Sequence, residues 1–170
     1  MAWVEEIIRG LKEAQCSLIG YIPDGITWRV LRRMEQDSFF HMIPASREEE
    51  TVGILSGGYA AGKRGALFMQ SSGFGNCINA LATLNIPYRI PVPIFIGMRG
   101  GLGEFNMAQV PGAKAIPSIL DALGLQYFNL TREDELPQII KGGIELCYAS
   151  RLPVANLLST LLTGGRDAPA

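Results

Sequence analysis

Short apolar runs alternate with helical patterns along the whole of this chain, and few folds accept that alternation. Runs at 17–22, 39–43, 66–70, 92–98, 125–128 and 153–158 are strand-sized. Between them, apolar residues recur at helical spacing over 26–36, 48–63, 76–84, 116–123 and 133–149, and earlier at Trp3, Val4, Ile7, Ile8 and Leu11. Strand, helix, strand in repetition implies right-handed crossovers and a parallel sheet covered on both faces. The expectation is one three-layer α/β domain over 1–163, with a mostly parallel six-stranded sheet and helices on both faces. A flexible polar tail is expected over 164–170. Ligands of such sheets lie beyond the carboxyl ends of the strands, which directs attention to the loops after Ile22, Ile43, Gln70 and Met98.

Charge narrows the function classes. Lysine and arginine total 15 against 16 aspartates and glutamates, with no basic block, so neither a nucleic-acid footprint nor a polybasic membrane anchor is expected. Hydrophobic residues make up 48% and charged ones 18%, an apolar balance that points to a buried subunit interface. Cys16, Cys77 and Cys147 are odd in number and far apart, which fits reduced thiols in a cytoplasmic protein better than disulfides or zinc. His41 is the only histidine, so no histidine-based metal site is expected; in an apolar strand it reads as a core residue. The amphipathic N-terminus reads as a helix against a core rather than a signal peptide, and no apolar run approaches the ~20 residues that span a bilayer.

The densest chemistry lies between Arg47 and Asn76. Ser46-Arg47-Glu48-Glu49 matches a capping box, with Ser46 as cap and Glu49 reaching back. The alternative is that one of these acids is desolvated and faces the ligand edge. Glu49 shares its helical face with Val52, Gly53, Ser56 and Ala60, and Glu50 with Gly53, Ile54, Gly57 and Ala61, so periodicity does not choose between them. Four glycines from Gly53 to Gly62, each costing about 1 kcal/mol of helix propensity, suggest a close approach to the backbone. Gly57 to Lys63 imitates a phosphate-binding P-loop, but Arg64 stands where serine or threonine should be. Ser72-Gly73-Phe74-Gly75-Asn76 follows a strand and opens a helix, reading either as a tight turn or as backbone donors for a ligand. At the end of the 92–98 strand, Arg99 reads either as a clamp for an anionic substrate or as the partner of Glu104. Asp24 reads as a proton relay or as the cap of the next helix.

Together these residues resemble the pyrimidine-binding domain of thiamine-diphosphate enzymes. The likeness is greatest to the alpha subunit of sulfopyruvate decarboxylases and the N-terminal half of phosphonopyruvate decarboxylases. It runs from about residue 20 to 125. It is carried by Pro23-Asp24, by Arg47-Glu48-Glu49-Glu50 with Gly58-Tyr59-Ala60-Ala61-Gly62-Lys63, by Gln70-Ser71-Ser72-Gly73-Phe74-Gly75-Asn76 with Ile78-Asn79-Ala80-Leu81, and by Arg99-Gly100 with Gln109 and Gly112.

The resemblance implies a catalytic glutamate nine residues before a Gly-Tyr pair, which counted from Gly58 is Glu49. Its role would be to hydrogen-bond the ring nitrogen of the aminopyrimidine. Pro23, Ser72, Gly73, Phe74 and Asn76 would join Glu49 in binding the cofactor, with the Gly73–Asn76 turn against the pyrimidine. Asp24, Gln70, Arg99 and Gln109 would face the substrate. The family's Gly-Asp-Gly motif for diphosphate and magnesium is absent, as are the paired histidines of some 2-oxoacid decarboxylases, and 170 residues leave no room for a second domain. The implied protein is therefore half of a hetero-oligomer, whose beta subunit holds the diphosphate and Mg2+. It would decarboxylate a small anionic 2-oxoacid, sulfopyruvate first, to sulfoacetaldehyde and carbon dioxide. The alternatives are phosphonopyruvate or another 2-oxoacid, carboligation, or a non-catalytic ligand-binding module with Glu49 as a mere cap.

Overall fold

A computed structural model describes residues 1–165 of the 170. The chain runs α1 (Ala2–Glu13), β1 (Cys16–Tyr21), α2 (Trp28–Glu35), β2 (His41–Pro44), α3 (Glu48–Ala60), β3 (Arg64–Gln70), α4 (Ser71–Ala80), β4 (Pro93–Gly97), α5 (Val110–Ala122), β5 (Gln126–Leu130), α6 (Leu136–Ser150), β6 (Val154–Leu158) and α7 (Thr160–Thr163). All six strands pair in parallel, in the order β2-β1-β3-β4-β6-β5. The expected three-layer α/β architecture is what forms. The tail expected over 164–170 lies, from residue 166 on, outside the described residues.

Period-two alternation in the strands builds two cores. Ala66 and Phe68 of β3, with Phe95 of β4, face α1, α2 and α6. Leu67 and Met69, with Ile94 and Ile96, face α3, α4 and α5. Phe68 and Phe95 are register partners and stack with centroids 4.8 Å apart at 7°. Burying such a side chain contributes about 1.5–3 kcal/mol, so the sheet's centre is its best-anchored part.

Several elements depart from the sequence reading. The helix expected over 76–84 begins at Ser71 and continues as a π-helical turn, Leu81–Asn85, so the Gly73 to Asn76 segment is helical rather than a turn. Gln70, extended at φ −82° and ψ 154°, ends β3 and caps α4 at once. The helix expected over 116–123 starts at Val110, with Pro111 in its first turn, where a missing N–H costs nothing, and it accommodates Pro117 internally. Short α7, capped by Ser159 and ended by left-handed Gly164, was not anticipated.

Topology fixes where a ligand can enter. From β1 the chain crosses through α2 on one face to β2; from β3 it crosses through α4 on the other face to β4. The loops leaving the adjacent carboxyl ends of β1 and β3 therefore diverge and open a crevice between them.

Candidate functional site

A cleft of about 480 Å³ occupies that crevice. Its walls come from Ile22, Pro23, Asp24 and Gly25 after β1, from Glu48 at the start of α3, and from Gln70 and Ser72 at the β3–α4 junction. No helix among the described residues is long and apolar enough to cross a membrane, and none of their His, Cys, Asp and Glu side chains form a group of three that could hold a metal ion.

Three glutamates open α3, and each goes a different way. Arg47, in extended conformation, is the N-cap and makes no side-chain cap bond. Glu50 Oε2 accepts from the Ser46 N–H at 3.0 Å, so the acid that reaches back is Glu50, one place later than the expected box. Glu49 Oε1 pairs with Arg47 Nε at 2.7 Å, while its Oε2 is buried with no hydrogen-bond partner. Glu48 enters the cleft: its Oε2 accepts from Asn76 Nδ2 at 2.8 Å. The helical period explains the choice. Thr51 and Leu55 press on Gly20 of β1, and Glu48 stands one turn before them on the same face, above the sheet's carboxyl edge.

Gly73 makes room for this acid. A Cβ at that position would meet the Glu48 side chain, so the acid takes this seat on α4 because residue 73 has only hydrogen there. The sequence reading names Glu49 at the cofactor; the acid that lines this cleft is its neighbour Glu48.

The other expected residues divide. Pro23, Ser72 and Gln70 line the cleft, and Asn76 reaches it through Glu48. Phe74 is fully buried in the core shared by α3, α4 and α5, beneath the cleft rather than in it. Asp24 lines the cleft, but both of its oxygens are occupied. Oδ1 accepts from the Ile26 and Thr27 N–H groups at 2.5 and 2.8 Å, and Oδ2 from the Thr27 hydroxyl. His41 is exposed at the amino end of β2, on the opposite edge of the sheet, and not in the core.

Arg99 does not reach the cleft as a free cation. It is 4% exposed, and its guanidinium forks onto Glu104, with Nε to Oε2 at 2.7 Å and Nη2 to Oε1 at 2.6 Å. The Gly100 and Asn106 N–H groups also donate to Glu104, each at 2.9 Å. Arg99, followed by these two N–H groups, holds the Glu104 carboxyl down at about 2 against the opposing effect of burial. Arg99 Nη1 then donates to Gln70 Oε1 at 3.4 Å, and Gln70 Nε2 donates to Ser72 Oγ at 2.7 Å and Gln109 Oε1 at 3.3 Å. Gln70 thus joins Arg99 to Gln109, and the carboxylate that holds Arg99 is buried rather than the surface partner expected.

Glu48 offers the cleft a carboxylate with one oxygen already fixed. Asn76 fixes one of its oxygens, and Pro23 and Ser72 stand nearby in the walls.

No protein-family model matches this chain. It is 34% identical over 157 residues to the sulfopyruvate decarboxylase subunit alpha of Methanococcus maripaludis, covering 92% of this chain and 94% of that one. It is 37% identical over 133 residues to a sulfopyruvate decarboxylase of Methanosarcina acetivorans, which covers 78% of this chain but only 34% of that longer protein. Among solved structures, a 2-oxoglutarate:ferredoxin oxidoreductase from Magnetococcus marinus with 2-oxoglutarate, coenzyme A and succinyl-CoA bound matches with a TM-score of 0.73 at 13% identity. That match covers 96% of this chain and 29% of the other, and it shows a shared fold.

Proposed function

The chain belongs to the family of sulfopyruvate decarboxylase alpha subunits, and on that footing we propose that, with a beta subunit, it converts sulfopyruvate to sulfoacetaldehyde and carbon dioxide. The cofactor of this reading is thiamine diphosphate. The observation that carries it is the Glu48 carboxylate, held by Asn76 in the crevice where the β1 and β3 loops diverge.

The residues present suit the pyrimidine end of such a cofactor. The cleft has the volume for one aromatic ring with a neighbouring substrate, and Gly73 brings the acid close to α4. Bound there, thiamine diphosphate supplies the electron sink that lets a 2-oxoacid release carbon dioxide. Glu48 would hydrogen-bond the ring nitrogen and hold a proton on it, Asn76 would fix the carboxylate's orientation, Pro23 would bound the ring, and Ser72, tied to Gln70, would lie on the substrate side. Gln70 and Gln109 would lie toward the substrate. A second reading assigns the acid to Glu49, whose Oε2 is buried without a partner.

The chain has no Gly-Asp-Gly, so diphosphate and magnesium would be held by the beta subunit in a hetero-oligomer. The Methanosarcina relative supports this division, since this chain spans only a third of it. Three unpaired, buried thiols suit a cytoplasmic setting.

The test is to co-express the chain with its beta subunit. Decarboxylation of sulfopyruvate and of phosphonopyruvate is then measured with and without thiamine diphosphate and Mg2+. Cofactor-dependent carbon dioxide release from sulfopyruvate by the pair, and none by either chain alone, is the expected outcome. Preference for phosphonopyruvate would move the reading to that substrate, and release by this chain alone would end the two-chain reading.

A further inference from the structure

Arg99 and Glu104 form a buried pair, with side-chain exposures of 2% and 5%. Arg99 is also covered on one side by the ring of Phe105, 5.6 Å from the guanidinium carbon. An arginine so paired carries no free charge to offer an anion. It nevertheless touches the cleft through one residue, Gln70.

That touch has a direction. A guanidinium has donors and no acceptor, so Gln70 must turn its Oε1 toward Arg99. The amide's Nε2 then faces Ser72 and Gln109 and donates to both. Ser72 Oγ and Gln109 Oε1 are consumed as acceptors, which leaves the Ser72 proton and the Gln109 N–H groups free to point outward. Ser72 itself lines the cleft. Were Gln70 reversed, the whole relay would invert, and the same side chains would present acceptors.

We infer that Glu104 and Arg99 are positioning residues: by fixing the Gln70 amide they set Ser72 and Gln109 as neutral hydrogen-bond donors for the anionic head of the substrate, with Arg99 kept out of direct contact. Within the proposed decarboxylase this head is the sulfonate, so the inference rests on that reading. Neutral, ordered donors suit a sulfonate, whose spread charge and three oxygens accept several modest hydrogen bonds. The pair is also anchored through the backbone, since Ser71 Oγ accepts from the Arg99 backbone N–H at 3.1 Å.

The opposite model, in which Arg99 grips the anion, predicts the reverse response to one substitution, and this makes the experiment decisive. In the assembled pair with thiamine diphosphate and Mg2+, Glu104→Gln should raise KM for sulfopyruvate by about tenfold, as expected for disordering one or two hydrogen bonds to a charged group. The kcat should stay within about twofold, and half-saturation by thiamine diphosphate should not move. A fall in KM would mean that the released Arg99 binds the anion itself, and would overturn the inference. An unchanged KM would overturn it as well.

Should Glu104→Gln fail to fold, Gln70→Met leaves the Arg99–Glu104 pair in place and must raise KM alike; an unchanged KM there refutes the relay. A readout separate from turnover uses the pair with only this chain 15N-labelled, titrated with ethanesulfonate. The side-chain amide signal of Gln109 should shift in the wild type and lose that response in Glu104→Gln. If the wild-type pair releases no carbon dioxide from sulfopyruvate, the functional reading fails, and the titration alone decides the relay: a shift upholds it, and none refutes it.

Discussion

Asn76 Nδ2 donates to Glu48 Oε2 at 2.8 Å and ties the first turn of α3 to the second turn of α4 across the sheet's carboxyl edge. The pair closes over Gly73, where a Cβ would meet the Glu48 side chain. One acid is therefore oriented by this chain's own residues, and its two neighbours in sequence are committed elsewhere, Glu49 to Arg47 and Glu50 to the Ser46 N–H.

This geometry separates two adjacent glutamates experimentally. Glu48→Gln should lower carbon dioxide release by the reconstituted pair by a factor of about 10²–10⁴, the range for a positioned proton-transfer group. Glu49→Gln should cost less than about tenfold, because it removes an ion pair with an exposed Arg47. Steady-state assays at saturating thiamine diphosphate decide it, and the reverse ranking would return the role to Glu49.

Two glycines of α4, two residues apart, should respond oppositely to alanine. At Gly73 the added methyl meets the Glu48 carboxylate, so Gly73→Ala should displace that acid and sharply reduce turnover. At Gly75 nothing lies within 4 Å, and alanine in a helix interior stabilises by roughly 0.5–1 kcal/mol. In the chain alone, Gly75→Ala should raise the melting temperature by about 1–4 °C. Thermal melts of both variants, paired with turnover of the assembled enzyme, provide the comparison.

Acid should weaken the protein through Glu104. Its carboxyl lies at about 2 in the folded chain against an ordinary 4.5, because Arg99 and two backbone N–H groups bind its charged form. A depressed folded value means that the unfolded chain takes up the proton first. The stabilisation is complete above about pH 4.5 and is lost progressively as pH falls toward 2. Glu104→Gln removes the titrating group, so its melting temperature should be lower near neutrality and should fall less steeply below pH 4.5. Parallel slopes for the variant and the wild type in that window would contradict the assignment.

The strands were legible in the sequence at the centre of the sheet and at its edges alike. β3, β4 and β6 lie inside the sheet, read as continuous apolar runs, and were placed within two residues. The edge strands β2 and β5, half-exposed, were placed as closely: the run read as 39–43 pairs as His41–Pro44, and that read as 125–128 pairs as Gln126–Leu130. Glycines obscured α4, because Gly73 and Gly75 read as a turn when Gly73 is in fact the seat of an acid on another helix. Which of the adjacent acids lines the cleft was not legible from periodicity, since the side chains of Glu48, Glu49 and Glu50 separate only through their partners in the fold. Nor could spacing alone reveal that Arg99 and Glu104, five residues apart, are buried together by the loop that joins them. That burial depends on tertiary packing against Gln70 and Ser71.

Asp24 offers the cleanest separation of structure from chemistry, because the sequence allowed it both roles. Its carboxylate accepts two backbone N–H groups and the buried Thr27 hydroxyl, holding the turn that leads into α2. Asn retains the Oδ1 acceptor, so Asp24→Asn should leave kcat within about twofold of wild type and move the melting temperature little. Ala removes every acceptor and leaves buried donors unmet, so Asp24→Ala should cost about 1–2 kcal/mol. For a chain of this size that is a fall of roughly 2–8 °C. A proton relay would reverse the pattern, since an amide cannot carry the proton: kcat would then collapse in Asp24→Asn at an unchanged melting temperature. Measuring both quantities on both variants assigns the residue either to the turn or to the reaction.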